Sequence, residues 1–403
     1  MPAVGPLPGP VSEDERILAL DIVRGLALFG VLMVNLLTEF RVSLFEYYFA
    51  PPKVTSSADR IVARVLAVAI ESKAFVLFSL LFGVGLAIHQ ERLDRRGVSS
   101  VTVVVRRLSA LLAIGLVHLF LVWNGDILTE YAIAGFVVLP ILHLSKRRAA
   151  LVPVAALAFL ALYLSPWPGM VPPTFHGWLD GEALDRHIED ARRIYGTGSF
   201  VDMLRFRIHE VRFIAALLVV VLPRTIALFL VGAVAVRLGL IARAAEHRTS
   251  FRWIAAIGIS LGFGVTLLPL VASAWVERAG RLGSIVSDLA PVVLGLGYAA
   301  ALMLVLLHPR ARRVLSVVAP LGRMALTNYV AQSMLFGLVF YGYGLGLFGR
   351  PSMATTAMFG VVVYAAQALT SAWWLRRFRF GPLEWCWRAM TYGVMPPMRG
   401  GAR

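Results

Sequence analysis

The chain has 403 residues, of which 59% are hydrophobic and 15% charged, with a mean hydropathy of +0.76 and a formal net charge of +16. This composition is that of an integral membrane protein. The arginines that dominate the charge lie in short loops between apolar runs, as the positive-inside rule requires, so no nucleic-acid binding is expected. The single cysteine, Cys386, excludes a disulfide framework and a cysteine-based metal site.

Residues 1–16 are proline-rich and then acidic. They lack the basic start of a cleaved signal peptide, so the first apolar run is expected to act as an uncleaved anchor behind a cytoplasmic tail. Beyond this tail, apolar runs recur at lengths suited to membrane helices of about 20 residues. They predict an all-α polytopic bundle of about ten transmembrane helices, at 17–38, 65–88, 103–123, 126–144, 149–165, 212–238, 253–275, 284–307, 315–341 and 355–376.

Every second connection between these runs is basic. The clusters begin at Arg92, Lys146, Arg237, Arg310 and Arg376. This alternation predicts an even number of spans with both termini in the cytoplasm, in the plasma (inner) membrane of a bacterium. Residues 379–403 would then form a cytoplasmic C-terminal tail.

One long connection, residues 166–211, separates a first helix bundle (17–165) from a second (212–378). Charge alternation puts it on the outer face of the membrane. An amphipathic helix is predicted within it, from Glu182 to Arg193. The mixed composition favours a folded lid over the outer face, and a solvated connector is the alternative.

The first run carries three polar residues inside an otherwise apolar helix. Asp21 and Arg24 are three residues apart, so they share a helix face and can pair. Asn35 follows Arg24 by about three turns and lies on roughly the same face. Charged groups in a membrane helix are costly unless they are paired or line a wet cavity, so this stripe predicts a polar interior.

The second run begins with Glu71 and Lys73 and continues as AFVLFSLLFGVGL. The two charged residues either bind something or extend to the membrane interface. The aromatic residues share a face, and Gly83 and Gly85 would allow close helix packing, which is the favoured interpretation of this segment.

The turn between the third and fourth runs holds the best candidates for acid–base chemistry. His118 lies about one turn inside the outer end of its helix, and Asp126 precedes the next helix as an N-cap. A carboxylate at this turn, either Asp126 or Glu130, could also orient the imidazole as a general base. A hydrogen-bonded structural histidine is the alternative.

Two further segments carry buried polar residues. Arg224 follows Pro223 in the middle of the sixth run, so it needs an internal anion, either a carboxylate such as Asp288 or a ligand. The ninth run opens with Arg323, Asn328 and Gln332 along one side. Those three residues predict either a polar pocket open to the cytoplasm or hydrogen bonds between helices.

Several enzyme signatures are absent from the sequence. It has no G-x-x-x-x-G-K-[ST], no H-E-x-x-H and no G-x-S-x-G, and its histidines do not cluster at metal-ligand spacing, so no metal is expected.

Five segments resemble the YeiB-like membrane family, catalogued as the domain of unknown function 418 family. They are LDIVRGLALFGVLMVN, ESKAFVLFSLLFGVGL, GLVHLFLVWNGDILTEYAIAG, PLGRMALTNYVAQS and FRFGPLEWCWRAMTY. The resemblance runs in order along essentially the whole chain. More remotely, the opening L-D-x-x-R-G is similar to that of transmembrane acyltransferases such as heparan-glucosaminide acetyltransferase.

The remote similarity implies transfer of an acyl group from acyl-CoA, such as acetyl-CoA, to an extracytoplasmic or lipid-linked acceptor, often a sugar. Related O-acetylating enzymes carry a histidine where this chain has Asn35, and an asparagine cannot act as a general base. His118 would therefore be the base and Asp126 or Glu130 its partner. Arg24, Arg323 and Asn328 would hold the donor, and Arg224 would stabilise negative charge.

Two other functions fit the same residues. A transporter or permease for a polar or lipid-like solute would use the intramembrane charges to bind the solute or relay protons. A non-catalytic scaffold or receptor is also possible. Membrane lipids are expected partners in every case, and the sequence leaves a homodimer open.

Overall fold

The computed structural model describes residues 18–52, 54, 56–145, 149–165, 181–271 and 279–399. Within these ranges the chain forms sixteen α-helices and no β-strand. In chain order the first eight are α1 (Leu18–Asn35), α2 (Leu44–Phe49), α3 (Ser57–Val65), α4 (Lys73–Arg95), α5 (Ser100–Val117), α6 (Ile127–Leu144), α7 (Leu151–Leu164) and α8 (Glu182–Thr197). The remainder are α9 (Phe200–Arg237), α10 (Arg248–Val271), α11 (Gly280–Leu306), α12 (Pro309–Leu315), α13 (Ala319–Arg323), α14 (Ala325–Phe340), α15 (Met353–Leu375) and α16 (Pro382–Tyr392).

The predicted all-α polytopic fold is confirmed. In the described part of the chain, eight helical segments are long and apolar enough to cross a membrane. A ninth crossing forms if Pro309–Arg323 and Ala325–Phe340, which meet at an angle of 72°, count as one bent span. The fifth predicted run, 149–165, forms only the 14-residue helix α7. That helix is shorter than the roughly 20 residues that a full crossing requires.

Three helices end in a single π-helical turn. These turns cover Leu36–Phe40 after α1, Leu66–Ile70 after α3 and His118–Val122 after α5. A π turn inserts a residue into the helical repeat, and such turns are frequent at functional sites. The third of these turns begins at His118, whose imidazole is the candidate base.

Helix α9 is 38 residues long, or about 57 Å at 1.5 Å per residue. This exceeds a hydrocarbon core of about 30 Å, so residues 200–211, placed by the sequence in the long connection, continue the helix beyond the apolar region. A capping box between Ser199 and Asp202 starts it. The predicted helix from Glu182 to Arg193 is present as α8, whereas the opening of the connection, 166–180, lies outside the described residues.

Helices of the two predicted bundles pack closely against each other, α4 against α9 and α1 against α13. Small residues make both contacts possible. A Cβ added at Gly83 of α4 would collide with the backbone of Phe229 on α9, and one added at Gly322 would collide with the Asp21 carbonyl. Gly85 differs, because its nearest neighbour is the Arg24 Nη2 atom at 3.3 Å.

We therefore expect Gly83→Ala to lower the stability of the protein by about 1–3 kcal/mol, because backbone atoms of α9 cannot move aside. Gly85→Ala should have a much smaller effect, since the end of the Arg24 side chain can shift. Thermal unfolding of both variants in the same detergent tests this difference. Equal melting temperatures would contradict the assignment of Gly83 to the helix contact.

The orientation of the termini remains a prediction. A C-terminal green fluorescent protein fusion should fluoresce, and a C-terminal alkaline phosphatase fusion should be inactive, because the basic connections favour the cytoplasmic side. Phosphatase activity comparable to that of a fusion in the 166–211 connection would reverse the proposed topology.

Candidate active site and basic cavity

His118 and Asp126 form a buried dyad at the turn between α5 and α6. The Nδ1 atom of His118 lies 2.8 Å from Oδ1 of Asp126, and the two side chains are 1% and 0% exposed. Asp126 also accepts hydrogen bonds from the backbone N–H groups of Leu128 and Thr129, at 3.2 and 2.7 Å. The carboxylate therefore caps α6 and orients the imidazole at the same time.

The second imidazole nitrogen has no such partner. The Nε2 atom of His118 is buried and makes no hydrogen bond with any residue that the structure describes. The imidazole lies 5.1 Å from the Tyr329 ring and 6.2 Å from the Trp123 ring, measured between centroids. The Tyr329 hydroxyl accepts from Ile127 N–H at 3.3 Å and contacts the Gly125 carbonyl at 3.4 Å. Tyr329 thus fixes the turn that carries Asp126.

A cavity of about 280 Å³ has Tyr329 in its lining. Ile127, Leu128 and Tyr329 are part of its lining, so the cavity borders the segment that directly follows Asp126. Its charged lining comes from α1, α4, α5, α13 and α16. These residues are Asp21, Arg24, His89, Arg92, Arg107, Arg323, Glu384 and Arg388. We refer to this space as the basic cavity.

Asp21, Arg24 and Arg323, all predicted site residues, meet at the basic cavity. Arg24 Nη1 lies 3.2 Å from Asp21 Oδ1, as the i, i+3 spacing predicted. Arg323 stands at the end of α13, immediately before the 72° bend into α14. Asn35, at the far end of α1, does not line the cavity, which extends along α1 only as far as Val31.

At the break between α13 and α14, backbone N–H groups at the start of α14 have no acceptor within the helix. The Glu384 carboxylate of α16 accepts hydrogen bonds from two of them. Its Oε1 accepts from the N–H groups of Leu326 and Thr327 at 2.8 and 3.1 Å, and its Oε2 accepts from the Thr327 hydroxyl at 2.5 Å. Burial raises the pKa of the Glu384 carboxyl, although these hydrogen bonds act in the opposite direction. Glu384 therefore ties the C-terminal helix to the broken span.

Asn328 and Gln332 lie outside the cavity and join α14 to α15. Asn328 donates to the Ser371 hydroxyl at 2.9 Å, and Gln332 donates to Gln367 Oε1 at 2.7 Å. The sequence left open a polar pocket or hydrogen bonds between helices. At Asn328 and Gln332 the structure has hydrogen bonds between helices.

Glu130 and Arg224 belong to a different region from the dyad. The Glu130 carboxylate accepts from Thr225 and makes no hydrogen bond to His118, so of the two candidate carboxylates only Asp126 orients the imidazole. The Arg224 guanidinium lies 4.5 Å from the Phe75 ring centroid and interacts electrostatically with Glu130 and Asp288. Arg224 does not reach the basic cavity.

Glu71 and Lys73 contact neighbouring segments of the chain. The Lys73 ammonium donates to the Ala67 carbonyl at 2.7 Å, closing the π turn that precedes it. Glu71 accepts from the hydroxyls of Tyr47 and Tyr48, each at 3.3 Å. Burial raises the pKa of both tyrosines.

A second polar cluster lies on the far side of the dyad and centres on Glu210, which is 1% exposed. Its carboxylate accepts from Asn124, from the Tyr195 hydroxyl at 2.6 Å and contacts His187 Nε2 at 3.0 Å. A small space of about 10 Å³ separates it from Glu39, roughly enough for one water molecule. Because Asn124 is two residues before Asp126, Glu210 anchors the turn of the dyad.

Sequence reasoning did not assign four basic residues to the cavity: His89, Arg92, Arg107 and Arg388. Arg92 was assigned to the positive-inside pattern, and nothing in the spacing of the other residues distinguishes a cavity wall from a membrane anchor. Among the described residues, no group of three or more His, Cys, Asp or Glu side chains could hold a metal ion.

The fold and the site define a polytopic helical membrane protein with a buried His–Asp dyad beside a basic cavity. The chain belongs to the YeiB-like DUF418 family. The family profile described as "Protein of unknown function (DUF418)" matches residues 235–394. "Uncharacterized protein YxaH" of Bacillus subtilis (strain 168) is 33% identical to the chain over 405 residues, covering 96% of this chain and 97% of the relative. "Uncharacterized protein YeiB" of Escherichia coli (strain K12) is 29% identical, with coverage of 95% and 98%.

Proposed function

We propose that the protein is a membrane-bound acyltransferase that moves an acyl group from acyl-CoA to a hydroxyl or amine of an extracytoplasmic or lipid-linked acceptor. The observation that carries this proposal is the His118–Asp126 dyad, with Nδ1 held at 2.8 Å and Nε2 without a hydrogen-bond partner among the described residues. A base oriented by a carboxylate is the arrangement that general-base catalysis needs.

In this mechanism Nε2 of His118 takes the proton of the acceptor as its oxygen or nitrogen attacks the thioester carbonyl. The carbon–sulfur bond then breaks, and the imidazolium returns the proton to the leaving CoA thiolate, so the reaction is balanced without another reactant. Asp126 keeps the proton of the neutral imidazole on Nδ1 and stabilises the imidazolium that forms. Tyr329 lines the basic cavity and packs against the imidazole, so it would have to move aside for the acyl end of the donor to reach Nε2.

The cavity suits part of such a donor. Its volume of about 280 Å³ is at the lower end of the roughly 300–1,000 Å³ of ligand pockets, so it would hold the acyl group and the pantetheine arm. The phosphates would lie among the arginines of the lining, which include Arg24 and Arg323.

The test is incubation of the purified chain in nanodiscs with acetyl-CoA labelled in the acetyl group, with and without a membrane extract as a source of acceptors. We expect label to pass to the protein, to an acceptor or to water, and free CoA to appear. Absence of CoA release in all these mixtures would overturn the proposal.

A transporter is the second candidate, because a helix broken inside a membrane protein, such as α13–α14 with its 72° bend, commonly borders a solute site. Solute flux into liposomes without release of CoA would favour the transporter. Release of CoA that depends on His118 would favour the enzyme.

A further inference from the structure

Tyr329 borders both the His118 imidazole and the basic cavity. Its ring is tilted by 40° to the imidazole at a centroid distance of 5.1 Å, and the same residue is part of the cavity lining. His118 is not among the described residues of that lining, and its side chain is 1% exposed. In this conformation the base is therefore closed off from the cavity, and Tyr329 is the side chain common to both.

The backbone of α14 is fixed on both sides of Tyr329. The preceding residue, Asn328, donates to the Ser371 hydroxyl of α15 at 2.9 Å. Nearly one turn later, Gln332 donates to Gln367 of the same helix at 2.7 Å. Because these contacts join α14 to α15, Tyr329 can move relative to the imidazole only by rotation of its side chain, with the helix in place.

The contacts that hold the Tyr329 hydroxyl are long, and the adjoining space is large. The hydroxyl oxygen lies 3.3 Å from the Ile127 nitrogen and 3.4 Å from the Gly125 carbonyl oxygen. Hydrogen bonds of these two types usually measure roughly 2.7–3.2 Å and 2.5–3.0 Å, so both contacts are weak. The bordering cavity of about 280 Å³ gives a rotated ring room.

We propose that the Tyr329 side chain is a gate between the basic cavity and His118. In the closed position its ring covers the imidazole, and its hydroxyl is tied to Gly125 and Ile127. Rotation of the ring into the cavity breaks both contacts and opens the imidazole to whatever fills the cavity. The identity of that molecule as an acyl donor rests on the proposed function, whereas the shielding of His118 does not.

The hydroxyl contacts couple the gate to the dyad. Gly125 and Ile127 flank Asp126, so the closed gate holds the turn that presents this carboxylate to the imidazole. The closed ring also keeps cavity water away from the base, a common role of mobile groups at active sites. Opening therefore exposes the base and loosens the turn in one movement.

Diethyl pyrocarbonate tests the gate without acyl-CoA. A neutral imidazole nitrogen with a free lone pair attacks its carbonyl and displaces monoethyl carbonate, which takes up the imidazole proton. With the full chain in nanodiscs, mass spectrometry of the peptides that contain His118 and His143 gives the modification rate of each. His143 is exposed and is the reference in the same sample. We expect His118 to react much more slowly than His143 in the unsubstituted protein.

Tyr329→Phe removes the hydroxyl contacts and keeps the ring. It should raise the rate at His118 relative to His143 about fivefold, the factor that one ordinary hydrogen bond contributes to an equilibrium. Tyr329→Ala removes the ring and should raise the relative rate further. The control Tyr364→Phe also loses a hydroxyl bonded to a backbone carbonyl, that of Gly25 at 2.8 Å, and should leave the relative rate unchanged.

Equal relative rates in the unsubstituted protein, Tyr329→Phe and Tyr329→Ala would overturn the gate, and so would a His118 that reacts as fast as His143 before any substitution. If Tyr329→Ala does not fold, Tyr329→Phe, whose ring fills the same space, decides. The proposed function is judged separately. Gated reactivity of His118 without release of CoA removes acyl transfer and keeps the gate, whereas release of CoA with ungated reactivity does the reverse.

Discussion

Replacement of His118 by alanine should lower the rate of CoA release by a factor of about 10²–10⁴, the range for loss of a positioned general base. The fold should survive, because Asp126 retains its two hydrogen bonds to the start of α6 after the imidazole is removed. The measurement is the initial rate with labelled acetyl-CoA, together with thermal unfolding of the same sample.

His143→Ala is the matched control for this prediction. His143 is exposed in the last turn of α6, far along the helix from Asp126, and its loss should not alter the rate. Asp126→Asn gives a second check, because asparagine is also a good N-cap but cannot stabilise the imidazolium as a carboxylate does. Its rate should fall while its melting temperature stays close to that of the unmodified protein. Unchanged turnover in His118→Ala would remove His118 from the mechanism.

Local spacing was sufficient to predict the pairs that lie close in sequence. Asp21 and Arg24 share a helix face, and the contact of His118 with Asp126 spans a connection too short to separate them. The predicted helical membrane fold follows from the lengths of the apolar runs. One predicted run forms only a 14-residue helix, and another is broken before α14. Both features depend on tertiary packing, which cannot be predicted from the length of an apolar run.

Only Asp21, Arg24 and Arg323 of the basic cavity were predicted as site residues. The other charged lining residues, from α4, α5 and α16, are brought to α1 and α13 only by tertiary packing, and Arg92 occurs near a loop where a positive-inside arginine is expected in any case. Glu384 is a comparable example. A position among arginines and tryptophans is typical of an interfacial anchor, whereas its carboxylate contacts backbone N–H groups 57 and 58 residues earlier in the chain. Only the packing of α16 against the broken span reveals that contact.

Replacement of Glu210 by alanine should cause the largest loss of stability among single changes in the described polar clusters. Three side chains from different segments, Asn124, His187 and Tyr195, contact this one buried carboxylate. Its removal would take away the acceptor of the Tyr195 hydroxyl and the contact that Asn124 and His187 share. Breaking a buried charged network by deleting one member costs about 3–5 kcal/mol, and the free energy of unfolding should fall by that amount.

Glu189→Ala is the control, since Glu189 is an exposed residue of α8 two positions from His187 and should change the melting temperature little. Glu210→Gln keeps the shape of the side chain and should have an intermediate effect, because an amide oxygen still accepts a hydrogen bond while its NH₂ group opposes the other donors. Stability equal to that of Glu189→Ala would show that the cluster does not anchor the chain. If the cluster does anchor it, Glu210→Gln should also reduce acyl transfer, because Glu210 holds Asn124 and thereby the turn that presents Asp126 to His118.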